Sequence, residues 1–184
     1  MKNFFRNKKN LRRALLGALV FLTAVAQNVP LLPGIYGVRP LPLLPLVIAI
    51  AVLDQALPGV LFGAAAGLLW DVSSPAAIPH SLYLITAAFV CAMLMRYVLI
   101  RNKLTVSLLM FLFTAVYLVM RWATDYAGLP DASYALLRYS LPSLAYTMLL
   151  AVPVYLAAQS IVRRTSRRSK AYVPGALRWE EDPS

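Results

Sequence analysis

The sequence predicts an all-α polytopic membrane protein with six transmembrane helices, and three observations lead there. Hydrophobic residues make up 60% of the 184 and charged residues only 14%, against about 45–50% and about 25% in a typical soluble domain. Mean hydropathy is +0.68. The 18 Lys and Arg outnumber the 7 Asp and Glu, for a formal net charge of +11. These cations gather at the two ends of the chain and around residues 96–103, not along a face that could track nucleic acid. Between them lie apolar runs close to the roughly 20 residues that cross a hydrocarbon core of about 30 Å.

The elements follow in order. Residues 1–13 form a basic tail with Lys2, Arg6, Lys8, Lys9, Arg12 and Arg13, which the positive-inside rule keeps in the cytoplasm. The run 14–32 is the first span. Its basic start, apolar centre and Ala24-Val25-Ala26 imitate a secretory signal, but the apolar character continues to Leu32, so it reads as a retained helix. The stretch 41–70 is interrupted at Asp54, Gln55 and Pro58. As one helix it would be about 45 Å long at 1.5 Å per residue, too long for a single crossing. Runs 81–100, 104–122 and 139–161 come next, then a second basic tail over 162–184.

Parity decides how the interrupted stretch is counted. If the first tail and the basic loop at Arg96, Arg101 and Lys103 are both cytoplasmic, an even number of crossings separates them. The stretch 41–70 must then cross twice, as a pair of short helices, or not at all, as a re-entrant hairpin. Two crossings are preferred, because irregular backbone at membrane depth has to be buried in protein. Six helices result, spanning 14–161, with both termini in the cytoplasm and every basic residue except Arg39, Arg121 and Arg138 on that side. Pro30 and Pro33 fall in the first outer loop. Pro40, Pro42 and Pro45 open the second helix, where a missing N–H costs little, and Pro153 is expected to kink the sixth.

Few residues invite chemistry. The lone cysteine, Cys91, precludes an internal disulfide, and the lone histidine, His80, removes a Cys/His metal cluster. No catalytic, cofactor-binding or metal-binding residue is expected. The densest pattern is Gly59, Gly63, Gly67 and Asp71, spaced by four, which forms one slowly turning stripe on a helix. Such a stripe admits a close neighbour helix, either within the bundle or from a partner. Asp71 and Arg39 fall at the same outer depth and are expected to pair, since unpaired charge is costly there. Asp54 reads as a solvated carboxylate at the cytoplasmic turn. It lies about 25 Å from Asp71 along the helix, too far for the two to share one reacting bond. A relay between Asp71 and His80 is conceivable, although a lone interfacial histidine usually has only a polar role. Arg121 and Asp125, four apart, read as an exposed pair worth little. Trp70, Trp122, Tyr117, Tyr126, Tyr134 and Tyr139 read as an aromatic belt at the outer boundary.

A resemblance can be stated on these residues. Val38-Arg39-Pro40, then Gly59-x3-Gly63-x3-Gly67-Leu68-Leu69-Trp70-Asp71 followed by Val72-Ser73-Ser74, then a helix ending at Arg101-Asn102-Lys103, resembles the rod-shape-determining MreD family over roughly residues 11–161. The chain departs from the family pattern at Pro75-Ala76-Ala77 and in the proline-rich opening from Pro40 to Pro45. The resemblance implies a fold similar to the substrate-binding subunits of energy-coupling-factor transporters. It implies a non-enzymatic component of the cell-elongation complex for peptidoglycan synthesis in the bacterial inner membrane. The implied partner is MreC, and through it MreB, RodA and RodA's transpeptidase, beside membrane lipids. The matching positions are Arg39, Pro40, Gly59, Gly63, Gly67 and Asp71, in structural and helix-docking roles. The rivals are a vitamin-binding transporter subunit, for which Ala14-x3-Ala18 would dock a coupling protein, and a membrane-embedded enzyme using Asp71 or His80.

Overall fold

In a computed structural model the chain is described over residues 8–29, 38–54, 56–74, 79–97, 102–126 and 132–170. Pro30, Pro33, Gln55, residues 75–77, Arg101 and the outer parts of both basic tails lie outside the described residues. The described residues are helical apart from short connections, with no strand among them. The helices are α1 (Lys8–Asn28), α2 (Leu43–Leu53), α3 (Ala56–Ser73), α4 (His80–Tyr97), α5 (Lys103–Asp125), a short α6 (Ala132–Ala135) and α7 (Leu141–Lys170). A π-helical turn, Leu136–Ser140, joins α6 to α7. Three helical runs are long and apolar enough to cross a membrane: His80–Tyr97, Leu104–Asp125 and Ala132–Thr165.

Several boundaries differ from the sequence reading. Helix α1 starts inside the basic tail, so Arg12 and Arg13 are helical. Helix α7 continues through Pro153 and into the second tail. The stretch 41–70 forms two helices that break at Asp54, and the first has only 11 residues, about 16 Å at 1.5 Å per residue. Pro45 lies in the first turn of α2, where the helix has no use for its missing N–H. At the other end Asp54 adopts an extended backbone while its N–H still donates to the Ile50 carbonyl.

Helix α2 is the centre of the molecule. Every residue from Leu43 to Val52 is buried, and α1, α3, α4, α5 and α7 all pack against it. A helix this short cannot match a bilayer, and lipid at its ends would leave polar backbone groups unpaired. A jacket of protein removes that problem, and with no polar face to present, α2 can be apolar all round.

The jacket alternates in direction. The start of α1, the α2–α3 turn, the end of α4, the start of α5 and the end of α7 lie at one end, which carries Arg12, Arg13, Arg96, Arg163 and Arg164. Arg39, Arg121 and Arg138 lie at the other. Outward positions on α5, among them Leu108, Phe111, Leu112 and Val119, are apolar and exposed, as a lipid-facing surface requires.

Candidate functional site

At the end opposite the basic cluster, residues 38–41 enter the bundle without helical structure. Backbone there needs partners, and the sequence supplies them in two ways. Pro40 and Pro42 carry no N–H and so make no demand. Of the remaining groups, the Leu41 and Pro42 carbonyls accept from the Leu44 and Leu46 N–H groups, and three others are met by side chains of the flanking helices. The Leu41 N–H donates to Thr147 Oγ1 at 3.0 Å, and the Leu43 N–H donates to Gln27 Oε1 at 3.1 Å. The Ser143 hydroxyl donates to the Arg39 carbonyl at 3.2 Å. Thr147 and Ser143 are both buried and stand one turn apart on α7. Three side chains from α1 and α7 thus hold the irregular segment in place of a helical ladder.

Because residues 38–41 are not helical, the space above α2 is incompletely filled, and a cavity of about 580 Å³ opens there. Five parts of the chain form its wall. Gln27 and Asn28 come from the end of α1, Arg39 and Pro40 from the entering segment, and Trp70 and Ser73 from α3. Arg121, Trp122 and Tyr126 come from the end of α5, and Tyr139, Ser140 and Ser143 from the π turn and α7. A π turn inserts an extra residue into a helical run and re-aims the side chains that follow, here delivering Tyr139 and Ser140 to the wall. The Tyr126 and Tyr139 rings stack with centroids 6.2 Å apart, and Trp122 Nε1–H donates to the Ala132 carbonyl at 2.7 Å. Among the described residues the wall includes two arginines and no Asp or Glu.

Behind Trp70 lies an aromatic cluster. Its ring stacks on His80 at 4.2 Å between centroids and meets Tyr117 at 5.4 Å, while Tyr117 meets Tyr83 at 5.2 Å. Trp70 and Tyr117 are buried, so these two belong to the interior and not to the outer belt that the sequence predicts. The spacing of aromatics along a chain reports their depth, whereas the rotation of each helix decides whether they face lipid.

Asp71 works at this corner, though not with Arg39. One carboxylate oxygen accepts the His80 N–H at 2.6 Å and meets His80 Nδ1 at 2.7 Å, and the other accepts the Ser81 N–H at 3.0 Å. An ionised carboxylate only accepts, so Nδ1 carries the hydrogen. Asp71 therefore caps α4 from the preceding helix, satisfying N–H groups that have no partner in the helix itself. Among the described residues no ion pair joins Arg39 to Asp71, which corrects the expected contact. Nine and ten residues along the chain, His80 and Ser81 bring three N–H groups to the Asp71 carboxylate at once.

The glycine stripe packs inside the chain. A Cβ on Gly59 would lie 2.6 Å from Ala51 Cα, one on Gly63 would lie 3.0 Å from the Leu84 carbonyl oxygen, and one on Gly67 would lie 2.1 Å from Ser81 Cα. Gly59 thus admits α2, and Gly63 and Gly67 admit α4. Of the two uses open to the stripe, it serves the one within the bundle.

At the basic end Asp54 departs from its expected solvated state. Its side chain is 1% exposed, and Arg12 Nη2–H donates to it at 2.6 Å. Arg12, Gln27, Ser143 and Thr147 hold the two ends of α2 in place, a role the sequence reading did not give them. Ser143 and Thr147 carried a signal, being two hydroxyls one turn apart in an apolar helix, while Arg12 and Gln27 carried none. Arg121 and Asp125 do pair, at 3.4 Å and well exposed.

Comparison with protein-family models, with curated proteins and with solved structures finds no match for this chain.

Proposed function

We propose that the chain crosses a bacterial inner membrane six times with both termini in the cytoplasm, and that it is a non-enzymatic scaffold of the cell-elongation complex. The observation that carries the topology is the alternation of α1, α2, α3, α4, α5 and α7, which gathers Arg12, Arg13, Arg96, Arg163 and Arg164 at one end. Helix α2 supplies about 16 Å of that crossing, and residues 38–41 add up to about 13 Å of extended chain. Single cysteines in a Cys91→Ala background test it. Ser74→Cys is expected to react with a membrane-impermeant maleimide from outside, and Asn102→Cys only after permeabilisation. Equal labelling of both from outside would overturn the topology.

The scaffold role rests on the order and spacing of Arg39-Pro40, the glycine stripe and Asp71, by which the chain resembles the MreD family. It is supported by the engagement of Asp54 with Arg12 and of Asp71 with the start of α4, which commits both carboxylates to holding helices. MreC is the direct partner in this reading, with MreB, RodA and its transpeptidase reached through it. With the glycines covered inside the bundle, MreC docks on an outward apolar face. Co-expression with MreC from the same genome is expected to yield one co-eluting complex. A well-folded chain that elutes without MreC would overturn the role.

The cavity favours a second reading, a vitamin-binding subunit of an energy-coupling-factor transporter, because polar and aromatic side chains converge there as ligand sites require. Tight vitamin binding by the purified chain would decide for it.

A further inference from the structure

The cavity has a chemical bias that rests on neither reading above. Among the described residues its wall includes Arg39 and Arg121 and no Asp or Glu. Among the described residues Arg39 has no ion-pair partner, and Arg121 has a long, exposed contact to Asp125 and a hydrogen-bonding contact with the Tyr117 hydroxyl. Two cationic side chains among the lining residues favour an anion over a cation in that space. Gln27 adds a second, independent sign. Its Oε1 is taken by the Leu43 N–H, which fixes the amide orientation, and its Nε2 is buried with no partner. A buried donor left unpaired costs about 1–3 kcal/mol, which an acceptor oxygen at that wall would remove. The hydroxyl of Ser140 and the ring of Trp122 complete the surface, offering a further donor and flat apolar area, with the buried Trp70 ring behind them.

We propose that this cavity binds a small oxyanion, phosphate or carboxylate, carried on a planar or apolar body. Arg39 and Arg121 hold the charge, Gln27 Nε2 and the Ser140 hydroxyl donate to its oxygens, and the Trp122 indole covers the body. At about 580 Å³ the cavity falls within the roughly 300–1,000 Å³ of small-molecule sites. The ligand has two sources, the head group of an anionic lipid in the outer leaflet or a soluble molecule, and one experiment separates them.

The full chain carrying Trp179→Phe keeps Trp70 and Trp122 as its only tryptophans, so its fluorescence reports on the cavity wall. In one arm phenyl phosphate is titrated into protein in neutral detergent. In the other, phosphatidylglycerol replaces phosphatidylcholine stepwise in nanodiscs. A saturable response is expected in at least one arm, and the arm that responds identifies the source. Arg39→Gln is expected to weaken it about tenfold, in line with the loss of one charge-assisted hydrogen bond. Gln27→Glu keeps the acceptor for Leu43 N–H and replaces the free donor with negative charge, so it should weaken the response at least as much. Arg96→Gln, at the far end, should leave it unchanged, and circular dichroism should give wild-type helicity for all three. No saturable response in either arm would overturn the proposal. So would a response that Arg39→Gln and Gln27→Glu leave within twofold of the parent.

Discussion

Asp54 and Asp71 bracket the same helix, α3, but the two ends of the bundle use them differently. Asp54 is 1% exposed and holds Arg12 across 42 residues of chain, while Asp71 is 24% exposed and caps the neighbouring α4. At the basic end the turn between α2 and α3 is tight, so the carboxylate is enclosed and needs a full opposite charge. At the far end residues 38–41 leave the helical path, space remains above α2, and a carboxylate bonded to N–H groups at the start of α4 is sufficient. The closed end is therefore pinned by charge, and the open end is free to hold something that is not part of the chain.

Thermal and denaturant unfolding in detergent can test this contrast. The largest effect is expected from Asp54→Ala, which strands the Arg12 guanidinium in a largely enclosed site and should cost about 3 kcal/mol. The Arg12→Met, Asp54→Leu double variant should recover most of that loss, because an apolar pair of similar volume removes the desolvation cost of both charges. Failure of the double variant to recover would mean that Asp54 acts through its backbone turn and not through the ion pair. Asp71→Ala should cost less, about 1–2 kcal/mol, for the lost cap and the His80 contact. If it costs as much as Asp54→Ala, the distinction between a closed and an open end fails. Arg121→Ala should change stability by at most about 0.5 kcal/mol, since its pair with Asp125 is exposed and lies within one helix turn.

Much of the fold could be read from local order. The break at Asp54, the paired helices within 41–70 and the Arg121–Asp125 contact each depend on residues a few positions apart. The glycine spacing announced a close helix contact, and the chain uses it for α2 and α4. The partner of Asp71 could not be read this way. Arg39 and His80 lie at similar depth, and the choice between them depends on how α3 and α4 are rotated about their axes. The cavity was equally out of reach, because it needs five separate parts of the chain to converge and one of them to abandon helical structure.

Composition and period alone account for the helical class, the apolar runs and the gathering of cations at one end, because hydropathy and charge act residue by residue against the surrounding medium. Packing alone decided that α2 is a short core helix, that Trp70 and Tyr117 turn inward, that Asp54 is buried against Arg12, and that a cationic cavity lies above α2. Each of these joins residues distant along the chain. A side chain's partner there is set by helix rotation and close approach, which no local stretch of sequence specifies.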